Sequence, residues 1–219
     1  MATIEIRTFT EADRAELRQL FAHAAEGSPV ASLWGHPESE ASIYLDPYMD
    51  LEPGSLFLAI VDGKLAGHLA GCVDSSKLPS EDERIERAIR THRLFTKPKP
   101  MAFFARATAG MALASIRRLP TARELVDPRW PAHLHIAVSP AARGTGAAHG
   151  LMRAWLDRLR TLATPGCYLQ TQVENVRAVR FFERSGFTTY GEPALIPGMR
   201  WHGKPVHQQT MVWNPRAQQ

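Results

Sequence analysis

The segment that most constrains this chain is 132–162, where a strand-like run, Ala132-His133-Leu134-His135-Ile136-Ala137-Val138, leads through a glycine-rich turn into a long amphipathic helix. In that helix, predicted over 147–162, Leu151, Met152, Trp155, Leu156 and Leu159 make one apolar stripe, while Arg153, Asp157, Arg158 and Arg160 make the wet face. A strand feeding a tight turn that opens a helix is an anion site in outline. The first-turn amides have no intrahelical acceptors, and the helix dipole adds positive potential there. Gly144, Gly146, Ala147 and Ala148 are small enough to let a diphosphate approach those amides. The turn supplies neither the G-x-G-x-x-G of a dinucleotide fold nor a P-loop lysine followed by serine or threonine.

The flanking sequence predicts a mixed α/β chain. A short strand at Ile4–Arg7 precedes a helix over 11–25, with Thr10 placed to cap it. A shorter helix is expected over 37–45, ending before Asp46-Pro47. Leu56–Val61 and Lys64–Val73 flank Asp62-Gly63, a strong hairpin signal. From Asp74 to about Trp130 the pattern turns helical. One charged helix follows Ser80 and runs to Arg93, Lys97-Pro98-Lys99-Pro100 interrupts, and an alanine-rich helix spans 102–119. We read 75–129 as a helical insertion in a single domain of 219 residues, because it is too short to build its own core. After the glycine turn come a strand at Cys167–Val173, a helix capped by Asn175 and closed by Gly186, and strands near 187–190 and 207–213.

Composition narrows the function classes. No run of 18 apolar residues occurs, so no membrane span is expected. The first residues lack the basic and apolar regions of a signal peptide, and Cys72 and Cys167 stand apart without metal-ligand spacing; a reduced, cytoplasmic protein with free thiols is expected. Net charge is +4, with basic residues gathered between Arg117 and Arg160, which favours a polyanionic ligand. No aromatic–basic interleaving recommends nucleic acid as a partner.

The spacing Val138, Arg143, Gly146, Ala148, Leu151 resembles the R/Q-x-x-G-x-G/A motif of the GNAT superfamily of N-acetyltransferases. Downstream, Asn175-x-x-Ala178-x-x-Phe181-Phe182-Glu183-Arg184-x-Gly186-Phe187 resembles that superfamily's second motif, in the right order and one helix and one strand away. The resemblance covers about 4–75 and 129–213. It implies a twisted, mostly antiparallel sheet flanked by helices, with acetyl-CoA as co-substrate. It also implies that the backbone of Ile136, Ala137 and Val138 pairs with the pantetheine arm, and that the amides of Arg143, Gly144, Thr145, Gly146, Ala147 and Ala148 hold the pyrophosphate. Asn175 is implied near the pantetheine, and the helix carrying Phe182 beside the thioester. A narrower similarity, in Trp130-Pro131-Ala132-His133-Leu134-His135-Ile136, Ile43-Tyr44-Leu45-Asp46-Pro47-Tyr48 and Thr164-Pro165-Gly166, is to bacterial relatives of the acetyltransferase-like domain of O-GlcNAc hydrolases.

Acetyl transfer to a primary amine of a small molecule or protein needs a neutral amine, a polarised carbonyl and a stabilised leaving thiolate. His133 and His135, two apart on one strand, face the same side and are the candidate bases; the alternative is a pair of structural histidines. Glu174 is a further candidate, and Asp46 and Glu52 are candidates for binding a cationic acceptor. The sequence departs from the resemblance at Phe182, where many members carry a tyrosine acid, and at Ala137, where the narrower branch implies an acidic residue. A CoA thiol with pKa about 8.5 can leave without a strong acid; Tyr168 and Tyr190 are substitute donors. The inserted helices, with Phe103, Phe104, Met111 and Trp130 nearby, are candidates to close over an acceptor; the alternative is that these side chains are plain core. The competing reading is a pseudo-acetyltransferase that binds acetyl-CoA without turnover; a homodimer is compatible with either.

Overall fold

The computed structural model describes residues 2–24 and 34–215. Its strands are β1 (Ile4–Thr8), β2 (Leu56–Val61), β3 (Lys64–Cys72), β4 (Ala132–Val138), β5 (Cys167–Gln172), β6 (Thr188–Trp201) and β7 (Lys204–Trp213). Its helices are α1 (Arg14–Ala24), α2 (Pro37–Tyr44), α3 (Asp46–Leu51), α4 (Glu81–His92), α5 (Pro98–Ile116), α6 (Ala147–Thr161) and α7 (Val176–Arg184). The seven strands form one mixed sheet in the order β1-β2-β3-β4-β5-β7-β6, and the single parallel neighbours are β4 and β5. Among the described residues no helix is long and apolar enough to cross a membrane.

Local chemistry accounts for most element ends. Asp62 and Gly63, at φ 49° and 76°, make the two-residue turn between Val61 and Lys64 that the Asp-Gly pair predicts. Ser80 accepts from the Glu83 amide while Glu83 reaches back to the Ser80 amide, the reciprocal cap that starts α4. The expectation for Lys97–Pro100 is corrected. Pro98 and Pro100 lie in the first turn of α5, where a missing N–H costs nothing, so they begin the helix. Asp46-Pro47 likewise opens α3 where the sequence suggested only an end.

The sheet separates two cores. On one side α6 lays Leu151, Met152, Trp155, Leu156 and Leu159 against Leu69, Leu134 and Leu169. Gly71 permits the closest approach: a Cβ there would sit 2.6 Å from Trp155 Cε3, inside contact distance. On the other side α1, α2 and α3 cover Leu58, Ala70 and Cys72 with Leu17, Leu45 and Tyr48. The helices between β3 and β4 extend this second side. α4 and α5 pack through Ala88 and Phe103 against Trp34 and Ile43, and Gly198 of β6 lies directly under Ala107 of α5. The cysteines are buried and free.

Candidate active site

Alternation along β4 divides its side chains. Leu134, Ile136 and Val138 join the α6 core, while His133, His135 and Ala137 face the α1–α3 side. The main chain divides too. Ser139 N–H donates to the Ala66 carbonyl at 2.8 Å, and hydrogen-bonded pairs alternate in an antiparallel ladder, so His133, His135 and Ala137 turn their peptide groups toward β3. Leu134, Ile136 and Val138 turn theirs toward β5, in the same sense as Ala132, whose N–H donates to Gly166 across that gap. Yet β4 and β5 are in register only at Ala132–Cys167 and His133–Tyr168. Beyond that point the strands part, and the β5-facing edge of Leu134–Val138 lies open.

At the mouth of this gap the chain turns through Arg143–Gly146 into α6. Gly144 and Gly146 hold φ of 82° and 102°, a region that favours glycine. A Cβ on Gly144 would meet nothing within 4 Å, and one on Gly146 only Ile4 Cδ1 at 3.5 Å. Thr145 braces the turn: its hydroxyl donates to the Ala142 carbonyl at 2.8 Å and accepts from the Ala147 amide at 3.3 Å. Burial and then the charge of Arg177 hold the exposed Arg143 guanidinium below its ordinary pKa, so two cations from separate elements stand near one another here. Asn175 caps α7, its Oδ1 accepting from the Ala178 amide at 3.3 Å. Phe182 is buried in the α6 core, its ring 5.4 Å from Phe181 and 6.1 Å from Phe187.

The two candidate bases differ. Ser75 donates its hydroxyl proton to the Pro131 carbonyl and therefore accepts from His133 Nδ1, 2.6 Å away; the Tyr48 hydroxyl then donates to His133 Nε2 at 2.7 Å. Both nitrogens of His133 are thus committed, in a neutral ring that burial keeps far below its usual pKa. His135 is half-buried, with the edges of Tyr44 and Tyr48 at 6.0 and 5.5 Å. Burial, then the charges of Arg84 and His68, pull it down to about 3. Burial and these neighbouring charges favour its neutral form.

Other candidates are already engaged. Glu174 accepts from the His207 amide and ring at 3.1 Å, and Asp46 pairs with Arg18 at 2.8 Å. Glu52 accepts from the Ser55 hydroxyl at 2.9 Å. Tyr168 is buried and pushed up to about 12, chiefly by burial. Tyr190 packs against Trp130 with the two rings tilted, and its hydroxyl accepts from Arg129.

Two residues that the sequence did not single out stand beside His135. Arg84 of α4 is buried and donates to the Ile43 carbonyl at 2.7 Å and to Glu124 at 3.0 Å; Glu81, on the same helix, accepts from the Tyr44 hydroxyl at 2.5 Å. The helical segment between β3 and β4 is thereby tied to α2. His68 of β3, on the same sheet face, is almost fully buried with Nδ1 unpartnered, and burial lowers its pKa to about 4. An unfolded chain therefore binds a proton that the native state refuses between these values, so His68's share of stability is complete above about pH 6.5 and is lost as pH falls toward 4. His68→Leu removes a buried polar atom without leaving a partner, so it should be near neutral at pH 7. At pH 5 it should regain about 2 kcal/mol relative to wild type. Urea unfolding at the two pH values checks this; equal acid sensitivity in both proteins would refute it.

A sheet parted between two parallel strands, with a glycine-built helix N-terminus at the mouth of the gap, is the frame of an acetyl-CoA-dependent acyltransferase. The chain belongs to the acetyltransferase (GNAT) family, whose sequence model matches residues 14–187. It is similar in fold to the polyamine N-acetyltransferase of Drosophila melanogaster, which forms N-acetylagmatine (18% identity, TM-score 0.60, 97% of this chain and 100% of that one). It is also similar to a putative acetyltransferase from Salmonella typhimurium solved with acetyl-CoA (13%, 0.58, 96% and 93%). A third is the ribosomal-protein-alanine N-acetyltransferase from Brucella melitensis (13%, 0.57, 96% and 99%). Acetyl-CoA is the family's acyl donor. The residues fit it on this chain's own geometry: an open main-chain edge, an unobstructed glycine turn at a helix start, and two neighbouring arginines.

Proposed function

We propose that the protein transfers an acetyl group from acetyl-CoA to a primary amine by direct attack in a ternary complex. The observation that carries this reading is the gap between β4 and β5, whose open edge and glycine turn suit the two ends of one elongated, diphosphate-bearing thioester. Ile136, Ala137 and Val138 supply the strand beside the pantetheine arm, through the Ile136 and Val138 peptide groups. Arg143, Gly144, Thr145, Gly146, Ala147 and Ala148 receive the pyrophosphate, and Asn175 and Phe182 belong to the far wall. Bound there, acetyl-CoA supplies a thioester whose C–S bond breaks as the C–N bond to the amine forms, with one proton leaving the amine and one joining the sulfur.

His135 is the residue offered to the amine. As a neutral ring it accepts a hydrogen bond from the attacking N–H, while His133, with both nitrogens engaged, holds the floor in place. A pKa near 3 makes His135 a weak final resting place for a proton, so water carries the proton away. The similarity to bacterial relatives of the O-GlcNAc hydrolase acetyltransferase-like domain agrees with acetyl-CoA binding and names no acceptor.

Phe182 favours a second reading, a donor-binding module without turnover, because its ring closes the core where an acid would stand. Calorimetry with acetyl-CoA, then CoA release over an amine panel, separates the two. Binding with turnover supports the enzyme, binding without turnover supports the module, and no binding at millimolar donor sinks both.

A further inference from the structure

α5 is a surface helix whose outward face is apolar. Phe103 packs into the cluster around Trp34 and Ile43, and Ala114 is buried on the same side of the helix. At 3.6 residues per turn Met101, Ala105, Ala112 and Ile116 share the opposite side, with Met111 and Leu113 on its two shoulders, and all six are exposed. Met101 keeps 52% of its surface in solvent and Ile116 80%. The outward face of a surface helix is where charged residues belong. Of the 19 residues of α5 only Lys99 and Arg106 are charged.

The apolar surface continues past both ends of the helix. Phe95 joins it through Phe104, their rings 5.6 Å apart, and Leu119 is folded back on the helix end, its N–H donating to the Ala114 carbonyl at 2.9 Å. Of the twelve exposed large apolar side chains among the described residues, seven fall between Phe95 and Val126. Exposed apolar surface gathered in this way marks a docking face.

Charge decides what covers it. Residues 97–123 carry six basic side chains and no acidic one; the whole chain is only +4, so its remaining residues are together net acidic. Lys99, Arg106, Arg117, Arg118 and Arg123 are exposed, and none of them forms a salt bridge among the described residues. A second copy of the chain would bring the same cations and no carboxylate from this segment to answer them. A single partner helix would cover one stripe of the apolar arc. An anionic bilayer covers the arc whole and meets the cations at its headgroups.

We propose that α5, with the turn that follows it to Arg123, docks the protein on an anionic lipid bilayer. Met101 and Ile116 enter the acyl boundary, and Lys99, Arg106, Arg117 and Arg118 lie at the headgroups. The helix rests in the plane of the interface, since it is not long and apolar enough to cross.

Co-sedimentation of the full chain with vesicles tests this. Vesicles of equal parts phosphatidylcholine and phosphatidylglycerol should bind the protein about a hundredfold more tightly than phosphatidylcholine alone. That difference, read at about 0.1 M salt, should collapse at about 1 M. Met101→Asn/Ile116→Asn leaves every charge in place and should weaken binding to the anionic vesicles about tenfold or more; both sites are exposed, so the melting temperature should hold. Arg117→Gln/Arg118→Gln should weaken binding by about tenfold or more as well. Lys64→Gln/Arg153→Gln removes the same charge from exposed sites elsewhere and should leave binding nearly unchanged. Failure to bind anionic vesicles, or equal binding to neutral ones, would overturn the proposal. So would full binding by Met101→Asn/Ile116→Asn, which would reduce the effect to general attraction of a basic protein. A dimer in sedimentation equilibrium that Met101→Asn/Ile116→Asn dissolves, without vesicle binding, would overturn it in favour of a second copy.

Discussion

Gly146→Glu should lower acetyl-CoA affinity by two to three orders of magnitude. Two effects add at this position. Gly146 is the residue before α6 and holds φ at 102°, so any side chain carries strain of about 1–2 kcal/mol, which the unliganded turn relieves by relaxing and donor binding must restore. The glutamate also places a carboxylate at the helix start that is to receive a diphosphate. Two like charges about 4 Å apart repel by about 4 kcal/mol at an effective dielectric near 20. Gly146→Ala carries the strain without the charge and should lose about tenfold or less. Calorimetry on both variants, with circular dichroism to verify folding, reads the difference. Equal affinities for the glutamate and alanine variants would mean that no diphosphate sits at this turn.

His135→Ala should reduce kcat/KM by about a hundredfold, the usual span for one positioned proton-handling group. The pH dependence carries more information than the magnitude. A histidine of ordinary pKa acting as base would give a rise in rate between about pH 6 and 8 that vanishes in the variant. Held near 3, His135 is already neutral throughout that interval, so it contributes no limb there. Wild type and variant should therefore run parallel from pH 6 to 8, displaced by a constant factor, with any slope belonging to the amine. A limb near pH 6.5 that disappears in His135→Ala would contradict the neutral-acceptor role. Loss of donor affinity in His135→Ala would instead make it part of the donor site.

Much of the frame was legible in the sequence because it is written locally. β4 runs over the predicted residues, the Asp62-Gly63 turn closes the predicted hairpin, and Asn175 caps the predicted helix. The mixed α/β order came from the flanking strand and helix patterns, and acetyl-CoA from the resemblance of Arg143–Ala148 and Asn175–Phe187 to the GNAT motifs. What was missed depends on partners distant in the chain. Pro98 and Pro100 read as breakers because a helix start and a helix stop use the same residue type. β6 continues to Trp201 through Gly191, Pro193, Pro197 and Gly198, residues that discourage strand prediction; pairing with β7, irregular at two places, and packing under α5 outweigh their local preference. Arg84 sits in a charged helix that looks solvated until Ile43 and Glu124 arrive from elsewhere. His68 falls inside the strand predicted over 64–73, where nothing in the local pattern singles it out. Only the pairing of β3 with β4 brings it beside His135, and only burial silences it.

The gap that admits the donor also sets how the sheet holds together. Main-chain pairing couples β1–β4 to β5–β7 through only two residue pairs, so the α6 stripe, packed on both Leu134 and Leu169, carries much of the connection between the two halves of the sheet across this seam. A ligand lying along β4 and anchored at the start of α6 would stitch that seam, adding a load path where the sheet is weakest. Occupancy should then raise the protein's resistance to unfolding, most of all along that seam. Such a protein would gain cohesion as its donor pool fills and shed it as the pool empties.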